Sequence, residues 1–306
     1  MAINWLDAET WTHSPQRGCV FEERYKGKLF DSVLSRNIHP TQNHFLALHL
    51  RVFLKPVTGQ TTQRDFNNRS FPIKEWTPQE WSSFTSQFTR QSYLWNNRFW
   101  LIPPKYFSLL DDKYGGRAVR PNIKCHLAVE VTNAAGNAHR TIEVVNLDLA
   151  ALASQTGNKN FGSGTFRSSD RHYDSLDIKP RDTHYTDDRG VEHTIENYYT
   201  IAHEIGHAIG LGHVGVLKST PQCVFAVALR KNGARNVSSH LSNGSNSPVC
   251  YGRFDSQGLA ENIMGLGTKF EEVNAEPWVK RIGMHTNTSL RDWKISLSHT
   301  SPQSVR

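Results

Sequence analysis

His203-Glu204-Ile205-Gly206-His207-Ala208-Ile209-Gly210-Leu211-Gly212-His213 is the stretch from which the rest of the chain is read. His203 and His207 are four residues apart, just over one helical turn, so on a helix both imidazoles leave from one face. Two neutral ring nitrogens placed in this way can meet one Zn2+ at about 2.0–2.1 Å each. Tyr198, Ala202, Ile205 and Ile209 carry an apolar stripe on the opposite face, which gives the helix a core side and a metal side. A ligand six residues past His207 cannot sit on the same straight helix. Gly210 is free to take a left-handed conformation, end the helix and turn the chain back. His213 then supplies a third nitrogen. Three protein ligands leave one coordination position open, the pattern of catalytic zinc. Glu204 is expected beside that position as a general base, not on the metal.

Outward from this stretch, Thr194 is expected to cap the helix, which then runs to about Gly210. Phe45 to Val57 alternates as a strand does. A second helix is expected over about 72–96, with Thr77-Pro78-Gln79-Glu80 as its start signal and Trp81, Phe84, Phe88 and Leu94 as its apolar stripe. Arg98 to Pro103 is a short apolar segment. Ile123–Thr132 and Arg140–Leu149 read as strands joined through 133–137 into a hairpin. Residues 154–190 read as loops, 216–260 as a long polar stretch, and 274–283 as a last short helix.

Composition narrows the classes. The chain has 306 residues, enough to bury a sizeable core, with 37% apolar residues and 35 Lys and Arg against 28 Asp and Glu, a net charge of +7. Its basic residues are scattered, so a solvated surface is expected rather than a nucleic-acid footprint. No run of eighteen apolar residues occurs, so no membrane span is expected. Cys19, Cys125, Cys223 and Cys250 form no C-x-x-C pair, which argues against a thiolate zinc site. Cys223 and Cys250 flank one Gly/Ser/Asn-rich stretch and are the candidate disulfide.

The extended pattern H-E-x-x-H-x-x-G-x-x-H resembles the metzincin clan of zinc metalloendopeptidases. Glu261-Asn262-Ile263-Met264-Gly265-Leu266-Gly267 is similar to that family's Met-containing turn, and Ala275 to Ile282 to its C-terminal helix. The resemblance implies an α+β catalytic domain: a twisted mixed sheet with an antiparallel edge strand, an N-terminal helix, an active-site helix and a C-terminal helix. It implies peptide hydrolysis by a metal-activated water, a protein or peptide substrate lying extended along the edge strand, and Met264 as an apolar floor under the zinc. Two departures stand out. Leu266 occupies the place where some metzincins carry a Tyr, and His213 and Met264 are 51 positions apart (264 minus 213), which implies an insertion over about 216–260. The expected organisation is an N-terminal extension over 1–40, a catalytic domain over 41–290 and a tail over 291–306.

Further expectations follow. His172, Asp174, His184 and His193 resemble the series that holds a structural second zinc in matrix-type metzincins, and Asp174, Asp187 and Asp188 are candidates for a Ca2+ site. Met1 to Asp7 lacks the basic start and apolar stretch of a secretory signal. The chain resembles metallopeptidase effectors delivered by type VI secretion. This implies a toxin made in the producer's cytoplasm and exported by a signal-independent route, monomeric, with an immunity or inhibitor protein as partner. The competing reading is a zinc-containing module that binds peptides or cell-wall material without turnover.

Overall fold

The computed structural model describes residues 19–37, 43–106, 112–114, 117–186, 191–214, 227–230, 235–238, 260–298 and 303–304. In chain order the elements are β1 (Cys19–Tyr25), β2 (Asp31–Asn37), β3 (His44–Pro56), β4 (Thr62–Arg64), β5 (Ser70–Pro72), α1 (Pro78–Ser92), β6 (Trp100–Ile102), β7 (Asp112–Tyr114), β8 (Arg117–Arg120), β9 (Ile123–Val131), β10 (Arg140–Val145), α2 (Leu149–Thr156), β11 (His172–Asp174), β12 (Arg181–Thr186), β13 (Glu192–Tyr198), α3 (Thr200–Ala208), β14 (Val227–Arg230), β15 (Arg235–Ser238), α4 (Glu276–Thr286), β16 (Lys294–Ser296) and β17 (Gln303–Ser304). The architecture is α+β around one mixed sheet of eight strands.

β3 is the spine of that sheet. Its side chains alternate: Leu46, Leu48, Leu50, Val52 and Leu54 are buried on one face, while His49, Arg51 and Lys55 stand on the other. The polar face is held by pairs across the strands, His49 with Glu130, Arg51 with Asp31, and Lys55 with Glu143. β9 runs parallel along one edge of β3, and β6 and β16 continue outward antiparallel. On the other edge β2 pairs antiparallel with Phe45–His49, and β10 pairs parallel with Val52–Pro56. β11 lies parallel beside β10, and β1 antiparallel beside β2. β1 and β16, at the two ends of this strand order, come from residues before 41 and after 290, as does β2 beside β1.

α1, α3 and α4 cover the apolar face. α1 forms because Thr77 caps it: its side chain accepts the Glu80 N–H at 3.2 Å, while the Glu80 carboxylate accepts the Thr77 N–H at 3.0 Å. Phe84 and Phe88 are fully buried, and burial of each such ring stabilises the fold by about 1.5–3 kcal/mol. Trp95 follows the helix. Its Nε1–H donates to the Ala202 carbonyl at 2.8 Å, and its ring stacks at 6.3 Å on Trp278 of α4. Trp278 in turn donates to the His126 carbonyl of β9 at 2.7 Å. These two indoles therefore lock α3 and α4 onto the sheet.

Four sequence readings are corrected. β9 and β10 are not a hairpin, because both run parallel to β3, on opposite edges. The link between them carries the chain from one edge to the other and is held where Thr132 N–H meets the Val52 carbonyl and His139 N–H the Arg51 carbonyl, each at 2.8 Å. Thr194 caps no helix: it lies in β13 opposite His184, and α3 begins only at Thr200 after Tyr199, which makes no side-chain cap. The helix expected over 72–96 starts at Pro78, because residues 70–72 belong to β5. Finally, 154–190 is not all loop, since it contains β11 and β12. Cys223 and Cys250 lie outside the described residues, as does most of the expected insertion over 216–260. Cys125 is a free, buried thiol on β9. Among the described residues no helix is long and apolar enough to cross a membrane.

Candidate metal centre and its cleft

α3 has the two faces expected of it. Ala202, Ile205 and Ile209 are buried in the core, and His203 and His207 leave from the other side into a cleft of about 570 Å3; Tyr198, expected on the core side, instead ends β13 before the helix and lines that cleft beside His203. The helix ends in a Schellman turn. Gly210 has φ +94°, its N–H reaches the His207 carbonyl at 2.9 Å, and Leu211 N–H reaches the Gly206 carbonyl at 3.0 Å. This reversal brings His213 back to the helix. The Nε2 atoms of His203 and His207 are 3.1 Å apart, and those of His207 and His213 are 2.8 Å apart.

The protonation of these rings follows from their other nitrogens. The Nδ1 of His203 donates to the Ile263 carbonyl at 2.7 Å, and that of His207 to the Leu211 carbonyl at 2.9 Å. A carbonyl oxygen only accepts, so each Nδ1 carries the hydrogen and each Nε2 offers a bare lone pair. Burial pushes the pKa of all three imidazoles below its ordinary value and keeps them neutral. Lone pairs that face one another at this range repel unless a cation lies between them. Nitrogens each about 2.0–2.1 Å from a tetrahedral ion lie roughly 3.3 Å apart, close to the spacing found here. Among the described residues, this trio is the one group of His, Cys, Asp and Glu side chains close enough to hold a metal ion.

Glu204 lines the same cleft. Burial pushes its carboxyl up to about 8, with the negative charges of Asp177 and Asp170 adding to the rise and Arg167 and Arg181 opposing it. Met264 is fully buried beneath α3. A Cβ added at Gly206 would stand 2.2 Å from its sulfur, so the helix rests on Met264 where it has no side chain. The turn that carries Met264 is anchored on both sides: Asn262 Oδ1 accepts the Met264 N–H at 2.8 Å, and Val214 N–H reaches the Met264 carbonyl at 3.0 Å. Leu266 lines the cleft from the same turn, and its carbonyl accepts the Thr183 hydroxyl at 2.7 Å.

The second-metal series does not gather. His172 lies 3.5 Å from Glu143, and His184 Nδ1 meets the Thr194 hydroxyl at 3.0 Å. Asp174 is wholly buried, with its Oδ1 accepting the Leu176 N–H, while Asp187 and Asp188 lie outside the described residues. Sequence reasoning missed the residues behind α3. Asp177, also fully buried, accepts the Ser163 hydroxyl at 2.9 Å, and Ser163 bonds Thr200, the first residue of α3. Sequence reasoning also missed the cleft wall of Gly164, Arg167, Asp170 and Arg181, which falls in the segment read as loop. No protein-family model, curated protein or solved structure matches the chain.

Proposed function

We propose that this chain is a zinc-dependent endopeptidase of the metzincin type. The observation that carries the reading is the convergence of three neutral imidazoles on one point, with a carboxyl in the same cleft. Three nitrogen donors with room for a further ligand fit catalytic zinc better than a closed structural site. Met264 under the helix supports the metzincin assignment, since that family's Met-turn would occupy this position.

Zinc bound by His203, His207 and His213 supplies Lewis-acid chemistry, lowering the pKa of water from 15.7 toward about 7. The chain's own part is proton handling and orientation. Glu204 takes a proton from the attacking water, whose oxygen bonds to the peptide carbonyl carbon. As the C–N bond breaks, Glu204 returns that proton to the departing amine nitrogen. The carbonyls of Ile263 and Leu211 hold two of the imidazoles in the tautomer that leaves Nε2 free. Leu266 has no hydroxyl to offer the developing oxyanion.

The test is hydrolysis of an unfolded protein substrate by wild type and by Glu204→Ala, each with its zinc content measured. The expected result is equal zinc and a loss of at least about 100-fold in rate for the variant, the low end of a general base's contribution. Unchanged hydrolysis in Glu204→Ala would overturn the mechanism. Binding of peptides without hydrolysis in wild type would favour the non-catalytic module.

A further inference from the structure

Arg181, the first residue of β12, stands on the cleft wall in surroundings shaped to receive a guanidinium. The cation lies over the Tyr198 ring, 5.1 Å from its centroid. Gly164, at φ +88°, faces it without a side chain; a Cβ there would come within 2.3 Å of Arg181 Nη1. The Nε of Arg181 is buried and makes no hydrogen bond, and among the described residues no carboxylate forms an ion pair with it. A buried donor left in this state is costly, so the site is incomplete by itself.

The acids nearby do not complete it. Asp170 is engaged by Arg140 at 3.5 Å, and Asp182 accepts the Asn197 N–H at 3.3 Å. Asp174 and Asp177 feel the Arg181 charge, but their burial favours the protonated form. Arg167 adds a second cation to the same wall. Arg181 lines the same cleft as His203 and Glu204, so whatever it binds lies in the cleft of the candidate metal centre.

We propose that Arg181 anchors a carboxylate of the peptide ligand, next to the bond that is cut. Its planar fork matches a carboxylate with two parallel hydrogen bonds, which a lysine could not reproduce. Cleavage of the anchored peptide rests on the peptidase reading; the carboxylate recognition does not. The carboxylate has two sources: an Asp or Glu side chain within a peptide, or a free C-terminus.

The test uses the full chain, zinc-loaded and carrying Glu204→Ala, so that binding is read without turnover. The probes are fluorescein-labelled hexapeptides of one alanine-rich sequence. One set is amidated with Glu at each position in turn, a second has Gln in its place, and a third has no acidic side chain but a free C-terminus. One acidic position, or the free C-terminus, is expected to bind at least about tenfold tighter than its neutral counterpart, as a charge-assisted pair allows. Preference in the first set identifies a side-chain subsite, and preference in the third identifies a terminal anchor. Adding Arg181→Gln should abolish the preference and Arg181→Lys should keep part of it, with zinc content and melting temperature unchanged in both. Equal affinity for acidic and neutral peptides, or a preference that survives Arg181→Gln, would overturn the inference. An acidic preference with no cleavage by wild type would keep the anchor and sink the peptidase reading. Cleavage without an acidic preference would do the reverse.

Discussion

Gly206→Ala separates two physical effects that act in opposite directions. In an exposed helix, alanine is favoured over glycine by about 1 kcal/mol, so propensity alone predicts a more stable protein. At Gly206 the added Cβ would lie 2.2 Å from Met264 Sδ and 2.9 Å from Trp95 Cζ2. The sulfur can shift, but the indole cannot, because Trp95 is fully buried and tied to the Ala202 carbonyl at 2.8 Å. Overpacking of a tight core costs about 1–3 kcal/mol, and a contact this close belongs at the upper end. The net expectation is destabilisation by about 2 kcal/mol, once the propensity gain of about 1 kcal/mol is subtracted. Urea unfolding of the zinc-free protein reads it as a lower midpoint at unchanged slope. Displacing Met264 also moves the neighbouring Ile263 carbonyl, which orients His203, so zinc affinity should fall by about tenfold. A variant as stable as wild type would refute the close packing of α3 on Met264.

Two further predictions concern groups that support the site. Asn262→Ala removes the acceptor of the Met264 N–H and both bonds that Asn262 exchanges with Asn274 at 3.0 and 3.1 Å. Each buried group left unpaired costs about 1–3 kcal/mol, so the variant should unfold at lower urea and bind zinc more weakly; unchanged values would remove the turn from the account. Burial, followed by the charge of Asp177, pushes the Asp174 carboxyl well above its ordinary 3.8. The folded state therefore prefers the protonated acid. The stability this confers is complete below about pH 4, near the unfolded-state pKa, and is lost as pH rises through the raised folded value. Asp174→Asn should flatten the fall in melting temperature as pH rises above about 4; curves parallel to wild type would contradict the assignment.

Local signals in the chain were legible where one short stretch settles the geometry. The Thr77 box gives the start of α1, the four-residue step from His203 to His207 gives the metal face, and Gly210 does adopt the left-handed turn that brings His213 back. The alternation of β3 is equally plain. Partners across the sheet were not legible. The polar run 133–137 looks like a hairpin turn, yet it links two strands that both pair with β3, and period-two alternation is silent on which neighbour a strand chooses. The start of α3 was hidden because Tyr199 offers no capping side chain, while Thr194, a strong capping type, is used in a strand. The buried Asp174–Asp177 pair and Arg181 lie in a Gly/Ser/Asp/Arg-rich segment whose composition reads as solvated loop, and only tertiary packing brings them behind and beside α3.

The most direct test of the central claim is zinc content per chain by plasma mass spectrometry after dialysis against metal-stripped buffer, on wild type and on His213→Ala. The three-histidine centre predicts about one zinc per wild-type chain and a sharply reduced content in the variant, as expected when one of three protein ligands is lost. Wild type without zinc, or His213→Ala holding it as tightly as wild type, would contradict the centre and with it the hydrolase reading.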